Sequence, residues 1–75
     1  MMSKPYNYSV VLRPLTEDEG GGWFAEVPDL PGCMSDGETP VEAFNNVQGA
    51  IEEWMDAARE MGRAIPEPTV QSAVA

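Results

Sequence analysis

One stretch constrains the fold more than any other, residues 27–43, which read VPDLPGCMSDGETPVEA. Pro28 and Pro31 fix φ and hold the residues before them in extended geometry, which predicts a corner after a strand. Gly32 and Gly37 permit positive φ, so each is predicted to close a turn. The chain before this stretch alternates as β-strands do, and the chain after it has the periodicity of a helix.

The end of the same stretch predicts where that helix begins. Thr39 is the expected N-cap, Pro40 occupies the first helical position, and Glu42 is placed to complete a capping box. Glu38 and Glu42 also bring negative charge to the positive end of the helix dipole. The helix is predicted over residues 39–61, and Gly62 follows as its expected C′ residue. Its apolar stripe consists of Phe44, Val47, Ile51, Trp54, Met55 and Ala58.

Three β-strands are predicted before the helix. Alternation predicts a first strand over 6–13 and a second over 23–27, joined by a glycine-rich hairpin loop over 15–22. A short third strand fits residues 33–36, and residues 69–71 fit a short edge strand after the helix. The apolar face of the first strand consists of Tyr6, Tyr8, Val10 and Leu12.

These elements predict an α+β domain in which a three- to four-stranded antiparallel sheet is covered by one long helix, in the order β-β-β-α-β. The domain is expected over residues 6–70, with flexible termini at 1–5 and 71–75. Trp23 and Phe24 point to opposite faces of their strand, so they cannot both pack against one helix. Some aromatic surface is therefore expected to be exposed, or buried by a second copy of the chain.

Charge is the strongest signal in the composition. The chain has 75 residues, with 13 Asp and Glu against 4 Lys and Arg, and a net charge of −9 at pH 7. This balance disfavours direct nucleic-acid binding, because phosphate contacts need clustered Lys and Arg. It favours a basic partner, while the plainer alternative is that acidity only maintains solubility. Because a core this small is marginally stable alone, a homo-oligomer, dimer or tetramer, is also expected.

The residue types limit the chemistry that is available. The sequence has no His and a single cysteine, Cys33, which is expected to pack in the core. Without His, the commonest general base and metal ligand is missing, so no catalytic centre, metal or cofactor is predicted. With no signal peptide and no apolar run long enough to span a bilayer, the expected location is the cytoplasm, without membrane contact.

The ordered motifs resemble the HicB antitoxin family of bacterial and archaeal toxin–antitoxin pairs. The resemblance covers residues 6–68, and the residues that carry it are 27–33 (VPDLPGC), 37–39 (GET), 42–43 (EA) and 65–68 (IPEP), with Tyr8 and the glycine-rich hairpin before Trp23. It implies a partial ribonuclease-H-like fold of three antiparallel strands, a helix and often a short fourth strand. It also implies a function, which is to bind and neutralise a small, basic, RNA-cleaving HicA toxin that has a catalytic His.

The sequence departs from many family members after Pro68. Those members carry a further helix-turn-helix or ribbon-helix-helix module for operator DNA, whereas only residues 69–75 follow Pro68 here. No DNA-binding domain is therefore expected in this chain.

The candidate partner-binding residues are Trp23, Asp29, Leu30, Asp36 and Glu38. The acids would attract a basic partner, and Leu30 and Trp23 would supply an apolar anchor if the corner and the hairpin end lie on the same rim of the sheet. The more ordinary alternative for Asp29 is local turn chemistry. Residues predicted to have structural roles are Pro28, Pro31, Gly32, Gly37, Thr39 and Glu42.

Two other functions remain open from the sequence. One is a homo-oligomeric structural or regulatory domain that has no toxin partner. The other is a metal-dependent nuclease, in which Asp29, Asp36 and Glu38 would converge to hold Mg²⁺.

Overall fold

The computed structural model describes residues 7–68 of the chain. In chain order they form strand β1 (Val11–Pro14), a 3₁₀ turn (Glu17–Glu19), strand β2 (Trp23–Glu26), strand β3 (Met34–Gly37) and helix α1 (Pro40–Glu60). The order β-β-β-α confirms the predicted α+β class. Tyr6 and the predicted edge strand at 69–71 lie outside the described residues. Across residues 7–68, no helix combines the length and apolar character needed to cross a membrane.

The three strands form one antiparallel sheet in the order β1-β2-β3. Leu12 pairs with Ala25, and Ala25 pairs with Ser35, so these three residues share one face of the sheet. We call this the inner face, because α1 packs against it and Ala25 is buried there. Because successive side chains of a strand point to opposite faces, the outer face carries Val11, Arg13, Phe24, Glu26, Met34 and Asp36.

The core lies between the inner face and the helix. Its buried members are Tyr8, Ala25, Val27, Leu30, Cys33, Ala43, Val47, Ile51 and Met55. The stripe predicted for the helix is confirmed at Val47, Ile51 and Met55, and Trp54 packs partly buried against the same cluster. Burial raises the pKa of the Cys33 thiol, which agrees with its predicted packing role.

The helix ends where its local signals predict. At the C-terminus, the backbone N–H of Gly62 donates to the carbonyl of Arg59 at 3.1 Å, and that of Arg63 donates to Ala58 at 2.8 Å. With Gly62 at φ 69°, these bonds form a Schellman motif. The observed bounds therefore differ from the predicted helix by one residue at each end, because Thr39 and Met61 are the caps.

The first strand is much shorter than predicted, because it begins at Val11 rather than at residue 6. The pairing between β1 and β2 ends at Val11 and Glu26, whereas on the other edge of β2 the N–H of Val27 still donates to the carbonyl of Cys33 at 3.0 Å. Residues 7–10 are not part of a strand. Tyr8 instead inserts into the core at 7% exposure.

Gly37 does not have the positive φ that the sequence suggested. It is required for a different reason, because a Cβ at this position would lie 2.5 Å from the backbone nitrogen of Ala43. Gly22 is similarly constrained, since a Cβ there would lie 2.6 Å from the carbonyl oxygen of Gly37. The hairpin loop, the end of β3 and the first turn of α1 therefore meet through closely spaced backbone.

Candidate protein-binding site

The corner after β2 consists of two consecutive β-turns that share Leu30. The N–H of Leu30 donates to the carbonyl of Val27 at 3.1 Å, and the N–H of Cys33 donates to that of Leu30 at 2.9 Å. Each turn has proline at its second position, and the second turn has Gly32 at its third, with φ 83°. That arrangement is a type II turn. Pro28, Pro31 and Gly32 therefore occupy turn positions that suit their backbone preferences.

The corner is packed against the helix rather than presented to a partner. Leu30 is 0% exposed and belongs to the core cluster. The indole N–H of Trp54 donates to the carbonyl oxygen of Pro31 at 2.9 Å, which joins the corner to α1. This corrects the expectation that Leu30 anchors a partner, because its side chain offers no surface to bind.

Trp23 also differs from its expected placement. It begins β2 on the inner face, pairs with Gly37 and packs partly buried against the core. The corner follows the other end of β2, and the four steps from Trp23 to Val27 span about 13 Å at about 3.3 Å per residue. The hairpin end and the corner therefore lie at opposite ends of the sheet, which corrects the expectation of a shared rim.

The three candidate acids are divided between those two ends. Asp29 lies at the corner, where its charge and that of Glu67 reinforce the effect of burial in raising the pKa of Tyr8. Asp36 and Glu38 lie at the hairpin end, near the start of the helix. Residues 7–68 contain no group of three or more His, Cys, Asp or Glu side chains that could hold a metal ion. The ligand set required by the nuclease alternative is therefore not assembled within the described residues.

The hydroxyl of Tyr8 donates to the carbonyl oxygen of Pro66, although the two residues are 58 positions apart. Ile65 packs against the core beside this bond. The connector after the helix, part of the IPEP sequence, is thereby attached to the chain segment before β1.

Asp36 and Glu38 line a polar cleft of about 510 Å³ at the hairpin end. The side-chain amide of Asn46 donates to the carbonyl of Asp36 at 2.8 Å, which fixes the end of β3 to the helix. Both acidic side chains are exposed to solvent. The complete lining consists of Gly20, Gly21, Gly22, Asp36, Gly37, Glu38, Glu42 and Asn46.

The cap beneath this cleft differs in one bond from the predicted capping box. The Thr39 hydroxyl oxygen accepts from the N–H of Glu42 at 3.0 Å, as predicted. The Glu42 carboxylate, however, accepts from the N–H of Glu38 at 2.6 Å, one residue before the N-cap. The carboxylate therefore orders the backbone that carries Glu38.

A complete capping box occurs instead inside the hairpin loop, where none was predicted. Thr16 accepts from the N–H of Glu19 at 3.3 Å, and the Glu19 carboxylate accepts from the N–H of Thr16 at 3.0 Å. Arg13 pairs with Glu19 at 3.4 Å. The pKa of the Glu19 carboxyl is lowered mainly by the hydrogen bond from the Thr16 N–H, and further by the hydrogen bond from Arg13. The T-x-x-E pattern at 16–19 is the signal that would have indicated this turn.

Sequence reasoning also missed the outer face as a candidate site. Val11 and Met34 are 49% and 46% exposed on it, and Phe24 is partly exposed on the central strand. The guanidinium of Arg13 lies 5.1 Å from the centre of the Phe24 ring. A shallow depression of about 430 Å³ is lined by Arg13, Leu15, Glu19, Phe24, Met34, Ser35 and Asp36. The available signal was that Phe24 follows Trp23 directly in β2, so the side chains of the two residues point to opposite faces of the sheet.

The fold and this surface define a small, acidic, two-layer α+β domain, with one sheet face that no strand or helix within residues 7–68 covers. The family model for the HicB-like antitoxin of bacterial toxin–antitoxin systems matches residues 8–75, and the chain belongs to this family. This match confirms the resemblance carried by the sequence motifs. It supports an antitoxin-type, non-catalytic role with a toxin as the kind of partner.

Curated relatives cover most of the chain. The UPF0150 protein Ta0767 of Thermoplasma acidophilum is 33% identical over 64 residues, which are 85% of this chain and 88% of the relative. Two UPF0150 proteins of Synechocystis are also similar. The protein ssl0259 is 33% identical over 80% of this chain and 78% of its own length. The protein ssr1765 is 36% identical over 83% of this chain and 75% of its own length.

Proposed function

We propose that this chain neutralises a small, basic, RNA-cleaving toxin of the HicA type by covering its RNA-binding and catalytic surface. The observation that carries the proposal is the distribution of charge. Of the 13 acidic residues, every one except Asp29 is exposed to solvent. Among the described cations, Arg13 and Arg59 already pair with Glu19 and Asp56. The surface therefore presents a strong excess of carboxylate.

An excess of carboxylate suits a partner that binds RNA. A protein that cleaves RNA must hold phosphates with Lys and Arg, so its substrate-binding surface carries positive charge. An acidic domain is attracted to that surface and competes with RNA for the same cations. A bound domain of this size also blocks access to the catalytic group beneath it. Inhibition in this mechanism is steric and electrostatic, and it needs no chemistry from the antitoxin.

The alternative is a homo-oligomeric structural or regulatory domain that has no toxin partner. The observation that favours it is the uncovered outer face, with Val11 and Met34 about half exposed. Burial of this face by a second copy would relieve the marginal stability of a small core. The net charge of −9 on each copy opposes such an association.

Co-expression tests the proposed function. The protein encoded in the reading frame next to this gene is induced alone, and then together with the wild-type chain. We expect growth arrest in the first case and restored growth in the second, with both proteins recovered as one complex. Arrest that persists while the chain is abundant and folded contradicts the proposed function. A chain that forms only homo-oligomers under these conditions favours the alternative.

A further inference from the structure

The outer face carries three apolar side chains, those of Val11, Phe24 and Met34, and no other strand or helix among residues 7–68 covers it. Helix α1 packs against the inner face, and it is the only α-helix among residues 7–68. Two rows of paired residues run across the outer face. One row consists of Val11, Glu26 and Met34, and the other consists of Arg13, Phe24 and Asp36. Apolar and charged side chains therefore alternate across a flat, exposed surface.

We propose that this outer face is the docking surface for the toxin, with Phe24 and Met34 as the apolar centre and the surrounding carboxylates as the charged rim. The inference rests on the proposed function and names the surface that performs it. It also replaces Leu30 as the anchor, because Leu30 is buried in the core.

Charge decides which occupant suits this face. Three carboxylates, those of Glu19, Glu26 and Asp36, lie on or beside it, and one guanidinium, that of Arg13, is already paired with Glu19. A second copy of the chain would bring the same excess of negative charge against this rim. A partner that places an apolar side chain on Phe24 and cations around it satisfies both parts of the surface.

The size of the face agrees with a binding centre rather than a complete interface. Strands of four residues span about 10 Å, and three strands spaced about 4.8 Å apart span about another 10 Å, so the whole face covers on the order of 100 Å². A stable interface buries about 800 Å² on each partner. The remaining contacts would come from the acidic surroundings, which is the usual division between an apolar centre and a polar rim.

Arg13 is placed to regulate access to the aromatic ring. It lies over Phe24 and is held there by the Glu19 carboxylate. Because both side chains of the ion pair are about half exposed, at 52% and 42%, the pair can be displaced at small cost. A partner could then reach the ring and pair a cation with the Glu19 carboxylate, which also accepts from the Thr16 N–H.

The test compares two lysine substitutions that change the charge equally. Met34→Lys alters the centre of the outer face, and Val41→Lys alters another exposed apolar residue, 69% exposed on the helix. The probe is the purified protein encoded next to this gene, and its affinity for each variant is measured by titration calorimetry. We expect Met34→Lys to weaken binding about tenfold or more and Val41→Lys to leave it within about twofold. Circular dichroism and melting temperature establish that both variants fold.

The outcomes separate the two proposals. If the wild-type chain binds and Met34→Lys binds equally well, the docking surface is wrong while the proposed function stands. If Met34→Lys disrupts a homo-oligomer in light scattering without changing affinity for the toxin, the face joins copies of the chain and the docking surface is again wrong. If the wild-type chain does not bind the neighbouring protein, both proposals fail.

Discussion

The indole nitrogen of Trp54 donates a hydrogen bond to the carbonyl oxygen of Pro31 at 2.9 Å. This contact joins the middle of the helix to the double turn that follows β2, across 23 positions of sequence. Leu30, the residue before that carbonyl, is one of the largest fully buried side chains in the core. The corner and the helix are therefore held together by one polar contact beside an apolar one.

Trp54→Phe tests the polar contact, because phenylalanine keeps an aromatic ring and removes the donor. We expect the free energy of unfolding to fall by about 0.5–1.5 kcal/mol, the usual net value of one hydrogen bond. Urea denaturation followed by circular dichroism measures it. An unchanged midpoint would mean that water replaces the indole at Pro31 without loss.

Gly37→Ala and Gly49→Ala form a matched pair. The added Cβ at position 37 meets the backbone of Ala43 at 2.5 Å, whereas the Cβ at position 49 meets nothing within 4 Å. We expect Gly37→Ala to destabilise the fold by about 1–3 kcal/mol through overpacking. Gly49→Ala should stabilise it by about 0.5–1 kcal/mol, because alanine is favoured inside a helix. Thermal melts measure both, and equal changes of the same sign would contradict the close backbone approach.

The ionisation of Tyr8 is expected to make the free energy of unfolding depend on pH in the alkaline range. Burial, followed by the charges of Asp29 and Glu67, raises the pKa of its hydroxyl above the ordinary value of about 10. The neutral form is therefore favoured in the folded state. The stability that the neutral Tyr8 hydroxyl contributes is fully present below about pH 10, and it is lost as the pH rises through the pKa that Tyr8 has in the folded protein. Tyr8→Phe should reduce the fall in unfolding free energy above pH 10, measured by urea denaturation at several pH values. If the unfolding free energy falls equally in the wild-type chain and in Tyr8→Phe, the buried position of Tyr8 is contradicted.

How far the sequence predicted the structure depends on how local each signal is. The helix bounds were predicted to within one residue, because Thr39 and Gly62 act on their own neighbours. A corner after β2 was predicted for the same reason, although the sequence did not indicate two consecutive turns there. The length of β1 was not, because it depends on how far β1 pairs with β2, and that pairing ends at Val11 and Glu26.

The candidate site was predicted less well than the fold. Leu30 looked like an anchor because it lies in a turn, yet the double turn directs its side chain into the core. Asp29 and Asp36 looked like one cluster because they are close in sequence, yet β3 runs between them from one end of the sheet to the other. Asp29 and Asp36 are therefore separated by the length of β3. The sequence of the corner does not show how far β3 extends, so this separation could not be predicted from it.

Two double substitutions test whether the acids at the hairpin end contact the toxin directly. Asp36→Lys with Glu38→Lys alters the cleft, and Glu52→Lys with Glu53→Lys alters exposed acids on the helix. Each pair changes the net charge of −9 by +4, to −5. We expect the cleft pair to slow association with the neighbouring gene's product about tenfold more than the helix pair at 0.1 M salt. Stopped-flow fluorescence measures the rates.

Raising the salt to 1 M shortens the screening length from about 10 Å to about 3 Å, so the difference between the pairs should shrink. Equal slowing by both pairs would mean that only the overall charge matters, and that the cleft is not a contact surface.

Inhibition of RNA cleavage tests the central claim most directly. The purified product of the neighbouring gene is incubated with a labelled RNA while the wild-type chain is added in increasing amounts. Because the chain has 4 Lys and Arg against 13 Asp and Glu, we expect inhibition to come from binding to the toxin rather than to the RNA. A gel-shift control with RNA and the chain alone checks that assumption. The account predicts that cleavage stops near one chain per toxin, and cleavage that continues unchanged at a large excess of the folded chain would contradict it.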